Sequence, residues 1–128
     1  MRAVVADRLG DPSVLQVKDV PMPEAGPREV VVKVGAAGVN FPDILSVAGT
    51  YQHKQQVPFI PGMEGAGKIH AVGSEVRAWK PGDRVIFGVR PGAFAEYAKV
   101  TKPAAMMRLP DGWSDAEGAG YRVGAHTA

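Results

Sequence analysis

The chain has 128 residues, 45% of them hydrophobic and 22% charged, with a formal net charge of +2 and no cysteine. That length supports one domain with a core of moderate size. The missing thiols exclude disulfides and thiolate metal sites, and a small net charge without a Lys/Arg run gives no footprint for nucleic acid or an acidic membrane surface. No apolar stretch is long enough to span a bilayer, and the opening MRAVVA lacks the charged-then-apolar pattern of a signal peptide, so a cytoplasmic enzyme or binding domain is expected.

In chain order, RAVVA (2–6) reads as a strand and VLQVKDV (14–20) as an alternating one, broken by PMPEAGP (21–27). EVVVKVGAAGV (29–39) is apolar enough to be covered on both faces. NFPDILSVAG (40–49) places an N-cap residue and an early proline ahead of Ile44, Leu45 and Val47, which predicts a short helix. A long irregular crossing follows to residue 67. GKIHAVG (67–73), RVIFG (84–88), AFAEYAKV (93–100) and AMMRL (105–109) complete the strands, with a type II turn at Pro81-Gly82. SDAEGAGYRVGAHTA (114–128) opens on a capping box, Ser114 with Glu117, and predicts a helix still running at Ala128. Many short strands with few helices predict a mainly β fold, an irregular barrel or sandwich.

Two glycine patterns invite a nucleotide-loop reading. GAAG (35–38) lacks the G-x-G-x-x-G spacing, and GMEGAG (62–67) precedes a strand. A phosphate cradle needs glycines directly before a helix N-terminus, so neither fits. PGMEGAG (61–67) reads instead as a turn leading into a strand. Asp83 reads as a turn residue and His70 as a structural one. The histidines at 53, 70 and 126 show no metal-ligand spacing, and no G-x-S-x-G elbow is present. NFPD (40–43) admits a capping account, Asn40 as cap and Asp43 in the first turn. The loop beyond it, with Tyr51, His53 and Glu64, has the irregular character of a site.

The succession GAAGVNFPDILSVAGTY, PFIPGMEGAGKIHAVGSEV, WKPGDRVIFG, GAFAEYAKV resembles the medium-chain dehydrogenase/reductase superfamily, and within it the zinc-independent quinone oxidoreductase branch, the relatives of zeta-crystallin. The resemblance covers essentially the whole chain. It implies a GroES-like catalytic domain over residues 1–128, an irregular β-barrel whose last helix, about 114–128, leads towards a Rossmann domain. On that expectation the chain is the amino-terminal part of a longer enzyme, inactive alone, with exposed apolar surface near residues 114–128 that favours self-association.

Zinc-dependent members of the superfamily place ligands at the positions of Asn40 and Met63 and near Ala119. All three are replaced here, so the resemblance implies no zinc: Asn is a poor ligand, Met is too soft, and Asp43 and Glu64 alone make a weak site. It implies NADPH as cofactor and a quinone or enone as substrate, with carbonyl polarisation by hydrogen bonds. Asn40 and Tyr51 are the implied catalytic residues: Asn40 to bond the nicotinamide ribose or the substrate carbonyl, Tyr51 to donate to a developing oxyanion or enolate. Asn40, Phe41, Asp43, Tyr51, Glu64 and Thr127 are the implied cofactor-side residues. For Glu64 a role holding the cleft together stands beside cofactor contact, since a buried charge needs partners. Leu45 stands where some quinone reductases carry Tyr, which leaves the substrate open. A full-length homodimer without membrane or nucleic-acid partners is expected. The alternatives are an enoyl-thioester reductase on the same scaffold, a stand-alone GroES-like binding module and a non-catalytic crystallin-like relative.

Overall fold

The structure is a computed structural model that describes residues 1–49, 56–89 and 91–121. It is mainly β, as expected, with antiparallel sheets and two short α-helices. β1 (Arg2–Ala6) and β2 (Leu15–Asp19) form a hairpin sheet, joined by a one-turn 3₁₀ segment at Pro12–Val14. The larger sheet contains β3 (Val30–Gly38), β4 (Glu64–Val72), β5 (Arg84–Gly88), β6 (Tyr97–Val100) and β7 (Met107–Arg108), in the order β6-β3-β4-β5-β7. Isolated bridges from Ala3 to Ala95 and from Ala6 to Phe59 tie the hairpin to the rest.

The predicted strands survive with trimmed ends. The stretch 93–100 is regular only from Tyr97, because Phe94 and Glu96 bond to Val4 and Arg2 of β1 before the chain turns to β3. The stretch 105–109 gives up its start to a 3₁₀ turn at Pro103–Ala105. The larger correction concerns β4, which begins at Glu64 and not at Gly67. Gly65 and Gly67 are strand residues: a Cβ at Gly65 would collide with the Phe87 ring and the Ala36 carbonyl, and one at Gly67 with the Lys33 carbonyl. These glycines let neighbouring strands close up, where the sequence suggested a turn.

Val30, Val32, Ile69, Val85, Phe87, Ala98 and Val100 form the main core on one face of the sheet. On the other face Ala66, Ile86 and Leu109 meet Ala119 of α2 (Asp115–Ala119). Two register shifts bend the β3–β4 pair, leaving His70 as the extra residue on β4 and Gly35 on β3, the local twist expected of bulges. His70 is exposed and packs edge-on against Tyr97 with ring centroids 5.0 Å apart. Asp83 is the buried turn residue expected of it: it accepts from the Lys80 N–H at 3.1 Å, with Gly82 at φ 92° in the type II position.

The two tryptophans are fixed differently. Trp79 donates to the Pro103 carbonyl at 3.0 Å and lies under the Arg108 guanidinium, whereas Trp113 meets Tyr121 edge-on at 5.5 Å.

Helix α1 (Phe41–Ala48) ends on Gly49 in the left-handed region, φ 79°, so its predicted limits hold. Its buried face is mixed. Asp43 and Ser46 are buried beside Val47, while Phe41 and Ile44 are exposed, with Val39 just ahead of the helix also exposed. A helix on a core normally buries its apolar stripe. Val39, Phe41 and Ile44 thus form a local group at the start of α1, while Leu9, Val17, Met22, Val57 and Met107 are exposed elsewhere; in the described part of the last helical region only Tyr121 is of that kind.

Candidate functional site

The N-terminal end of α1 stands against the first residue of β4. Asn40 and Asp43 form a capping box, and the Asp43 carboxylate accepts from the Asn40 backbone N–H at 2.7 Å. The Asn40 side chain reaches across, its Nδ2 donating to Glu64 Oε1 at 2.9 Å. Asn40 thus binds two carboxylates from different elements through two different nitrogens, and remains partly open to solvent. An Asn side chain carries two amide donors and a carbonyl acceptor; one donor is committed to Glu64 and the carbonyl belongs to the capping box with the Asp43 backbone.

Both carboxylates are deep. Glu64 is 1% exposed and Asp43 4%. Burial pushes the Asp43 carboxyl above the usual carboxylate range; the Asn40 N–H opposes this, and the nearby Glu64 charge adds to it. Asp43 Oδ1 is buried with no hydrogen-bond partner among the described residues. A third wall comes from Gly38 at the end of β3: a Cβ there would lie 2.6 Å from Glu64 Oε1 and 2.9 Å from the Ala119 carbonyl. Gly38 therefore brings β3, Glu64 and the end of α2 together, a role that the GAAG motif did not suggest.

Of the sequence-predicted site residues, the structure gathers Asn40, Asp43 and Glu64. It places Phe41 beside them at the first helical position, 68% exposed as a residue. Tyr51 and Thr127 lie outside the described residues. Of the three positions singled out above for the metal question, Asn40 bonds Glu64, Met63 directly precedes Glu64, and Ala119 abuts Gly38. Among the described residues no three His, Cys, Asp or Glu side chains form a group that could hold a metal ion. None of the described helices is long and apolar enough to cross a membrane.

An antiparallel β scaffold with a buried Asn–carboxylate cluster at one helix N-terminus is the setting for the family comparison. The chain belongs to the alcohol dehydrogenase GroES-like domain family, which matches residues 26–111. Within it the relatives include quinone oxidoreductases. The chain is 38% identical over 130 residues to the quinone oxidoreductase of Lama guanicoe, covering all of this chain and 39% of that protein. It matches the structure of the quinone oxidoreductase from Thermus thermophilus, described also in complex with NADPH, with a TM-score of 0.81 and 40% identity over 96% of this chain and 37% of that one. It is also 47% identical over 100 residues to the erythronolide synthase EryA2 of Saccharopolyspora erythraea, covering 78% of this chain and 3% of that protein. The chain thus spans about two-fifths of the length of the quinone oxidoreductases it matches.

Proposed function

We propose that residues 1–128 are the catalytic domain of an NADPH-dependent, zinc-independent oxidoreductase that reduces quinones or related α,β-unsaturated carbonyls, with the helix after Ser114 leading into a Rossmann domain. The observation that carries this reading is the Asn40 side chain, tied to Glu64 at 2.9 Å in a half-buried residue next to the exposed Phe41. Asn40 fits a nicotinamide end, offering its second amide hydrogen to a ribose hydroxyl or carboxamide, and Phe41 offers an apolar wall. When bound, the reduced nicotinamide supplies hydride. The chain's own residues orient and exclude water: Asn40 directs a hydrogen bond at the ribose or the substrate carbonyl, and Phe41, Val39 and Ile44 keep that side of the cleft apolar. Asp43 and Glu64 act behind Asn40, holding its backbone and its amide, because their burial leaves them little surface for a ligand. Tyr51 is the proposed donor to a developing oxyanion, with Thr127 on the cofactor side.

The donor set does not fit zinc. At the three positions it offers an amide already engaged, a thioether and no side-chain donor at Ala119, whereas a zinc site needs about four N, S or O ligands. The decisive experiment joins this domain to its Rossmann half and follows NADPH oxidation with quinones, enones and acyl thioesters, with and without a chelator. Chelator-insensitive turnover of quinones or enones is expected, and Asn40→Ala lowers kcat/KM about a hundredfold, the scale of losing one positioned donor. Loss of activity on chelation would overturn the zinc-free reading. Turnover confined to acyl thioesters would move the protein to the enoyl-thioester reductase alternative, which stays in view because the scaffold recurs within erythronolide synthase EryA2.

A further inference from the structure

On the outward face of the five-stranded sheet the register sets four side chains in one row. Tyr97 of β6 stands opposite Lys33 of β3, Lys33 opposite Lys68 of β4, and Lys68 opposite Arg84 of β5. Residues directly opposite share a face, so three cations stand side by side at interstrand spacings of about 4.8 Å. Lys33 and Lys68 are exposed and Arg84 is half-buried. The bulged His70 brings its ring to Tyr97 at the far end of the row.

Carboxylates neutralise the flanks and not the middle. Asp115 pairs with Arg84 at 3.1 Å, and Glu29 lies 3.7 Å from Lys99 on β6. Among the described residues no ion pair reaches Lys33 or Lys68. Like charges directly opposite one another destabilise a sheet, and the core makes no demand for lysine here, since it is the alternate residues Val32 and Ile69 that face inward. The arrangement opposes folding slightly and concentrates positive potential along one line.

We propose that this row binds an oligophosphate group through Lys33 and Lys68, while Arg84 stays with Asp115 and the Trp113 carbonyl, each at 3.1 Å, and bounds the site at one end. Several negative charges close together along one chain match the two ammonium groups of Lys33 and Lys68 set one strand spacing apart, and phosphoryl oxygens suit ammonium donors. The phosphates belong to a free oligophosphate or to a nucleotide whose base meets Tyr97 and His70. The site shares no residue with the Asn40 cluster and is independent of the oxidoreductase reading.

The test titrates the chain with sodium tripolyphosphate, adenosine triphosphate and sodium chloride at matched ionic strength, reading heat of binding and Tm. Tripolyphosphate should bind and raise Tm above the chloride control. The double variant K33Q/K68Q should lose about tenfold or more in affinity, the scale of losing charge-assisted hydrogen bonds. It should also melt higher than the native chain in low salt without phosphate, which shows it folded. The double variant R77Q/K102Q, which removes two exposed cations outside the row, should bind as the native chain does. Tighter binding of the nucleotide, abolished by Tyr97→Ala, assigns the phosphates to a nucleotide; equal binding assigns the site to the phosphate chain. A Tm rise matched by chloride, native affinity in K33Q/K68Q, or an equal loss in R77Q/K102Q would each overturn the proposal.

Discussion

The two helices open on the same device and put it to opposite ends. At α2, Ser114 accepts from the Glu117 N–H at 3.1 Å and the Glu117 carboxylate accepts from the Ser114 N–H at 3.0 Å, in full solvent. The bond from the Ser114 backbone N–H, and after it the Ser114 hydroxyl beside the carboxylate, hold the Glu117 carboxyl below its ordinary value. At α1 the equivalent carboxylate, Asp43, makes a comparable backbone bond, but burial wins and its carboxyl rises. One motif thus gives pKa shifts of opposite sign, and the deciding variable is what the protein stacks over it. Desolvation acts on the charged form, whereas a single N–H returns only part of the lost hydration.

The harshest way to break this contrast is Gly38→Ala. Its methyl group would press on Glu64 Oε1 and the Ala119 carbonyl, so it strikes both helices at once. A loss of about 1–3 kcal/mol is expected, the usual range for overpacking, read as a lower midpoint in urea. Next comes Asn40→Ala, which removes the α1 cap and one donor to Glu64; a loss of about 1–2 kcal/mol is expected. Ser114→Ala removes only an exposed cap and should lose about 1 kcal/mol or less. If the two cap deletions proved equal, the buried cluster would contribute nothing beyond ordinary capping.

The finest test uses pH. Asp43 has a folded pKa raised above its ordinary 3.8. Its contribution is therefore fully present below that value and is lost as pH rises through the raised one. Glu117 has a folded pKa lowered from its ordinary 4.5. Its contribution is present above 4.5 and is lost as pH falls through the lowered value. Asp43→Asn should make the chain more stable at neutral pH and remove the first trend; Glu117→Gln should remove the second. Thermal melts of both variants across the acid range check the signs, and parallel profiles would defeat the comparison.

Local features of the fold were legible wherever chemistry and spacing act within a few residues. The Asn40–Asp43 and Ser114–Glu117 boxes, the Gly49 stop and the Pro81-Gly82 turn all follow from such short-range rules. Asn40, Asp43 and Glu64 came from the family resemblance, and the structure gathers them. What escaped depends on packing between distant segments. Glycines 65 and 67 looked like a turn because nothing local announces that Phe87, Ala36 and Lys33 crowd them. The mixed buried face of α1 escaped because hydropathy favours Ile44 for the inside, whereas Asp43 and Ser46 are buried there beside Val47, with Asp43 next to Glu64 of the arriving strand. Gly38 was read within a failed nucleotide motif, and only the approach of α2 gives it a purpose.

The placement of the two tryptophans has a practical consequence. The chain carries its own pair of optical reporters, set in different surroundings. Trp113, edge-on to Tyr121, senses whether α2 stays docked. Trp79, bonded to the Pro103 carbonyl and capped by Arg108, senses the β7 margin of the sheet. Single-tryptophan versions, each with the other replaced by Phe, would report emission from one location at a time. Superimposable curves would mean that the helix and the sheet margin let go together; an earlier transition at Trp113 would mean that the helix leaves first.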